Sequence, residues 1–181
     1  MGYVYGSFQE RATAISHGNT GRLALAGGDP TLARICGTIA ADEKRHEAAY
    51  QRVVAKLLEV DATNTMLAIA TMTRRRFIMP ARLMHDGRDP RLYDHFEAVA
   101  QRLGVYTGKD YADIMDYLIG RWGLEKLDGL TAEGREAQEF VCGFARRIRK
   151  IVERTEDRAK REKVKGNYTK FTWVFNREIL I

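Results

Sequence analysis

Ile35-Cys36-Gly37-Thr38-Ile39-Ala40-Ala41-Asp42-Glu43-Lys44-Arg45-His46-Glu47 is the segment from which the rest of the chain can be read. It has no proline and only one glycine, so it reads as helix, and Glu43 and His46 stand at i and i+3, on one face. Upstream, Glu10 lies in a second helical stretch, and Gly27-Gly28-Asp29-Pro30 is the only strong break between the two. At a rise of about 1.5 Å per residue, a hairpin turning near Gly28 puts Glu10 roughly 18 residues before the turn and His46 roughly 18 after it. Glu43 falls within one turn of the same height.

A Glu on one helix facing a Glu-x-x-His on its neighbour is the ligand set that each helix pair contributes in ferritin-like di-iron carboxylate bundles; a complete centre takes two pairs, and this sequence holds one. Glu-x-x-His also arises by chance on solvated helices, as a charge beside an incidental histidine. The pattern around it argues for burial. Leu32, Ile35, Cys36, Ile39, Glu43, His46, Tyr50, Val53 and Leu57 follow one helical stripe, so both polar residues are expected to face the core. An unpartnered buried carboxylate costs several kcal/mol, which metal coordination offsets. On the first helix Phe8, Ala12, Ile15 and Leu23 face one way, and Gly6, Glu10, Thr13 and His17 form a second, small and polar stripe. A helix with two faces to bury is expected in the interior.

The chain has 181 residues, 45% hydrophobic and 30% charged, enough for one domain with a real core. No apolar run approaches the roughly 20 residues that span a bilayer, so no membrane association is expected. The first residues carry neither a secretory nor a transit pattern. Cys36 and Cys142 lie in helical, partly apolar surroundings and read as reduced core thiols. The net charge of +6 comes chiefly from Arg74-Arg75-Arg76 and from Arg146 to Lys165. A solvated face and an acidic partner both fit those cations, whereas nucleic acid is not expected: aromatics are not interleaved with them and no groove-reading motif occurs.

The coarse reading is all-α. Helices are expected over about Tyr3–Ala26, from Pro30 (Asp29 as N-cap) to about Glu59, from Asp61 to before Pro80, from an Asp89-Pro90 start to Gly104, from about Gly108 (Thr107 as cap) to Trp122, and from a Thr131 cap to about Lys163. Phe171-Thr172-Trp173-Val174-Phe175, followed by Asn176-Arg177 and Ile179-Leu180-Ile181, predicts a short terminal β-hairpin.

Taken together, Ser7 to Thr13, His17-Gly-Asn-Thr20, Ile35 to Glu47, Asp86-Gly-Arg-Asp89, Ala98 to Thr107, Asp110 to Ile114, Gly120-Arg-Trp122 and Trp173 to Arg177 resemble the soluble plant acyl-[acyl-carrier-protein] desaturases over essentially the whole chain. The resemblance implies a ferritin-like helical bundle, homodimeric and plastid-located. Such an enzyme holds two irons as Fe2+ in the reduced state and places a cis double bond in an acyl chain on acyl carrier protein, using dioxygen and electrons from ferredoxin. It implies that Glu10, Glu43 and His46 are iron ligands, that Thr13 takes part in proton delivery on the oxygen-binding side, and that Asp42 orients a ligand histidine. His17 is expected to be structural or to support a ligand, and His85 and His95 to lie on the surface or in loops.

The match is expected to take in only the C-terminal portion of that family's chain, without the helices bearing its first Glu and first Glu-x-x-His and without a transit peptide. The domain reading is therefore a single partial ferritin-like unit over 1–181: a ligand-bearing hairpin over 1–59, outer helices over 60–165 and the terminal hairpin over 166–181. Three protein ligands suffice for one metal ion. One function reading is a desaturase polypeptide, as a fragment of a longer enzyme. A second is a non-catalytic binding protein keeping the dimer-forming and carrier-docking helices. In a third, two copies pair about a twofold axis, each giving one Glu and one Glu-x-x-His.

Overall fold

The computed structural model describes residues 1–161 and 168–180, with side chains left undescribed at 155–161, 169 and 180. Two long helices, α1 (Gly2–Ala26) and α2 (Pro30–Val60), form an antiparallel hairpin. Its turn is set by Gly28, whose φ of 86° lies in the left-handed region that favours glycine. The Asp29 side chain then accepts the Leu32 N–H at 2.9 Å, with Pro30 at the first helical position, as the sequence predicts. Small residues let the two helices meet closely. A Cβ on Gly6 would come within 2.8 Å of the Tyr50 ring, and one on Gly21 within 3.3 Å of the Ala33 carbonyl.

Asp61 ends α2 and caps α3 (Ala62–Arg75), accepting from the Asn64 N–H at 3.1 Å. A 3-10 turn (Pro80–Leu83) leads to α4 (Leu92–Arg102), α5 (Gly108–Arg121), a second turn (Leu124–Lys126) and α6 (Ala132–Arg161). Thr107 and Asp110 cap α5 reciprocally. The core takes Val4, Phe8 and Ala12 from α1, Val54 and Leu58 from α2, Met66 and Ile69 from α3, Ile114, Met115 and Leu118 from α5, and Ala137, Val141 and Ala145 from α6. Each set recurs at three- and four-residue spacing, the amphipathic pattern of helices that share one core. The all-α, ferritin-like helical architecture is borne out, as is the terminal hairpin: β1 (Tyr168–Phe171) pairs antiparallel with β2 (Arg177–Leu180). Both cysteines are free and buried, as expected. Among the described residues no helix is long and apolar enough to cross a membrane.

Several expectations need correction. Helix α4 starts at Leu92, after the expected Asp89-Pro90 start: the Asp86 carboxylate accepts from the N–H groups of Arg88 and Asp89, and Asp89 from that of Arg91, which holds this stretch as a turn. His95 is buried rather than superficial, with its Nδ1 2.8 Å from Asp89 Oδ2. His85 is exposed. Thr172–Val174 forms a 3-10 turn rather than strand, and Phe175 and Asn176 follow with φ of 60° and 56°. Only the first half of α1 is enclosed, since Leu23 and Leu25 are 42% and 64% exposed. The expected end of α6 near Lys163, the basic stretch after Arg161 and the outermost hairpin residues 166, 167 and 181 lie outside the described residues.

Candidate metal centre

Glu10 projects from α1, and Glu43 and His46 project from α2. One ligand atom from each of the three lies within 4.8 Å of the other two. His46 Nδ1 is 3.3 Å from Glu43 Oε2 and 3.6 Å from Glu10 Oε2. Two hard carboxylates and an imidazole form a donor set that iron accepts. The three donors fit one ion.

The helix face differs from the predicted one. The α2 residues turned inward are Cys36, Ala40, Glu47, Gln51, Val54 and Leu58, whereas Leu32, Ile35, Val53 and Leu57 of the predicted stripe are exposed. The site therefore lies at the edge of the α1–α2 contact. The Glu10 and Glu43 side chains are largely enclosed, at 19% and 18% exposure, while that of His46 is 59% exposed.

Thr13, one turn beyond Glu10, donates its hydroxyl to the carbonyls of Gln9 and Glu10 at 3.1 and 3.0 Å. Asp42 is not brought to the histidine: its carboxylate is half-exposed and pairs with Arg45 one turn on. His17 Nδ1 lies 2.9 Å from the Thr13 carbonyl, a structural contact. Thr13, Ser16 and His17 also line a cleft of about 600 Å³ walled by Phe77, Met79, Tyr93, Phe96, Tyr106, Tyr111 and Phe144. That volume and apolar lining suit a small-molecule site. Arg76 and Arg82 stand among the lining residues, and burial raises the Tyr106 hydroxyl well above its ordinary range.

Sequence reading missed Arg11 and Glu47. Glu47 is buried, and Arg11 Nη1 donates to its Oε1 at 2.8 Å. The available signal was positional, since each directly follows a candidate ligand in the sequence.

Burial, first, and then the hydrogen bond and like charge of Glu43 push the Glu10 carboxyl up to about 7, with His46 opposing. A carboxyl whose pKa is raised in the folded state stabilises the protein while protonated, an effect fully present below its unfolded value of 4.5 and lost as pH rises through about 7. The metal-free chain is accordingly expected to lose stability between pH 4.5 and 7, as followed by urea unfolding at a series of pH values. Metal must displace that proton, so affinity should rise over the same window and level off above it. A pH-independent affinity between 5 and 8 would contradict this assignment.

The family described as fatty acid desaturase matches residues 1–175. A stearoyl-[acyl-carrier-protein] 9-desaturase 6, chloroplastic, of Arabidopsis thaliana is 62% identical over 181 residues, covering 100% of this chain and 46% of the relative. The chloroplastic stearoyl-[acyl-carrier-protein] 9-desaturase 1 of Oryza sativa subsp. japonica is 60% identical (100% and 47%), and the chloroplastic stearoyl-[acyl-carrier-protein] 9-desaturase of Ricinus communis is 58% identical (99% and 44%). The chain spans about half the length of the curated relatives it matches. With a match running from the first helix into the terminal hairpin, and identity this high over the whole chain, it belongs to the fatty acid desaturase family.

Proposed function

We propose that this chain serves acyl-[acyl-carrier-protein] desaturation in plastid fatty acid synthesis, with Glu10, Glu43 and His46 as iron ligands. The convergence of those three side chains from two helices carries the reading. The names of the relatives supply the substrate class and the compartment. Iron, when bound, supplies the oxidation: a –CH2–CH2– unit loses two hydrogens, and dioxygen, taking two further electrons from ferredoxin and two protons, leaves as two waters.

The chain's own residues supply binding, dryness and protons. The cleft beside Thr13 holds part of the acyl chain, its aromatic walls excluding water from the reacting carbons. Thr13 borders both the cleft and the Glu10 turn, and its Oγ1 passes a proton between them. Glu10 gives up its proton when metal binds, so loading is favoured as pH rises toward about 7. The positive charge of Arg74, Arg75 and Arg76, all exposed, suits an acidic carrier protein. Asp42 supports a ligand histidine only by releasing Arg45.

The test is an assay of the iron-loaded chain with saturated acyl carrier protein, reduced ferredoxin and dioxygen, read by gas chromatography of the released acyl chains. A cis-monounsaturated product that needs all three reactants is expected. Stoichiometric iron with no such product would refute the enzymatic reading and leave a binding protein built on the same helices.

A further inference from the structure

Arg11 and Glu47 belong to a closed polar ring joining three helices. Arg11 Nη1 and Gln51 Nε2 both donate to Glu47 Oε1, at 2.8 and 2.6 Å. The Tyr117 hydroxyl of α5 donates to Gln51 Oε1 at 3.2 Å, and the Arg11 guanidinium lies 3.4 Å from the centroid of the Tyr117 ring. The Trp122 indole N–H adds a bond to the Gln51 carbonyl at 3.2 Å. The Arg11 and Glu47 side chains are 30% and 8% exposed, so this is an enclosed ion pair.

Enclosed ion pairs contribute little stability compared with apolar packing of the same volume; their best-attested role is to fix register. The α1–α2 contact needs such a device. Its close approaches set Gly6 against the Tyr50 ring and Gly21 against Ala33 and Cys36, and the second of these offers small surfaces that resist sliding poorly. A slip of one residue moves a helix about 1.5 Å, whereas a metal site tolerates errors of about 0.5 Å. Arg11 follows Glu10 and Glu47 follows His46, so the bridge acts one residue from the ligands on each helix.

We propose that Arg11 and Glu47 are positioning residues: their bridge locks the register of α1 against α2 and so holds Glu10 opposite Glu43 and His46, while Tyr117 sets the plane of the Arg11 guanidinium. This rests on the metal-site reading above, but the register itself can be read without metal.

The experiment compares the full chain with Glu47→Gln, Arg11→Met, the double variant and Arg11→Lys. Two quantities are followed: Co2+ affinity by absorption titration, and NMR cross-relaxation between the Glu10 and His46 side chains in metal-free protein. Each single neutral variant is expected to lower Co2+ affinity about 10-fold or more, the range for losing a group that orients metal ligands. The double variant should be little worse than either single one, because both remove the same interaction. Arg11→Lys should recover part of the loss. The Glu10–His46 cross-peaks should weaken in the neutral variants while helix content stays unchanged. Lower melting temperatures with Co2+ affinity and cross-peaks intact would overturn the proposal and leave a merely structural bridge. If the parent chain takes up no Co2+, the metal reading falls, and the cross-peaks alone decide the register claim. If Arg11→Met does not fold, the near-isosteric Glu47→Gln decides it.

Discussion

Glu43→Ala is expected to abolish specific iron uptake without unfolding the chain. Glu43 Oε2 is 3.3 Å from His46 Nδ1, and with the carboxylate gone only Glu10 and His46 remain to hold an ion. The loss should exceed the roughly 10–100-fold typical of groups that merely orient ligands. Stability should move the other way. Glu43 helps hold the Glu10 carboxyl up near 7, so removing it lowers that pKa, although the burial contribution remains. Above pH 7, where the raised pKa weakens the fold, the metal-free variant should be as stable as the parent or slightly more so. Chelator competition for iron and urea unfolding at pH 8, on one preparation, read both quantities. Iron retained by Glu43→Ala would remove this residue from the site, and iron lost only together with the fold would make its role structural.

Phe8→Ala is expected to cost about 3–5 kcal/mol, the usual range for truncating an enclosed phenylalanine. The ring is 0% exposed, stacks on Phe77 at 4.3 Å between centroids with 9° between planes, and meets Tyr111 at 4.8 Å. Phe77 donates its N–H to the Tyr111 hydroxyl, and both residues wall the cleft beside Thr13. The substitution thus removes a core anchor and loosens the cleft wall together. Against a total stability of about 5–15 kcal/mol for a domain, the loss is large. Leu25→Ala, at a side chain 64% exposed, is the control and should stay within about 0.5 kcal/mol. Urea midpoints at equal slope measure the difference. Equal costs at the two positions would show that the Phe8–Phe77 stack does not anchor the core.

Local chemistry made most of the helix boundaries legible. Asp29 with Pro30, Asp61, Thr107 and Thr131 each cap a helix as read, because a capping side chain and its target N–H lie within one turn in sequence. The convergence of Glu10, Glu43 and His46 was also legible, from helical rise and a single Gly-Gly break. What failed was nonlocal. The apolar stripe through Leu32, Ile35, Val53 and Leu57 is as regular as a core face, yet α2 turns Glu47 and Gln51 inward, where Arg11 of α1 and Tyr117 of α5 meet their side chains and Trp122 bonds the Gln51 main-chain carbonyl. Periodicity counts apolar residues and cannot anticipate a polar residue whose partner arrives from a distant helix. His95 was misplaced for a related reason: its partner Asp89 read as a helix cap, and the turn made by Asp86 freed that carboxylate for the imidazole. At Asp42 a motif position alone gives no orientation, and its carboxylate pairs with Arg45.

X-ray absorption at the iron edge of the iron-loaded chain, with His46→Ala as comparison, tests the proposed centre most directly. One imidazole per iron, with carboxylate oxygens completing the protein donors and the imidazole signal lost in the variant, is the predicted result. Iron bound without imidazole, or held equally well by His46→Ala, would contradict a centre built from Glu10, Glu43 and His46.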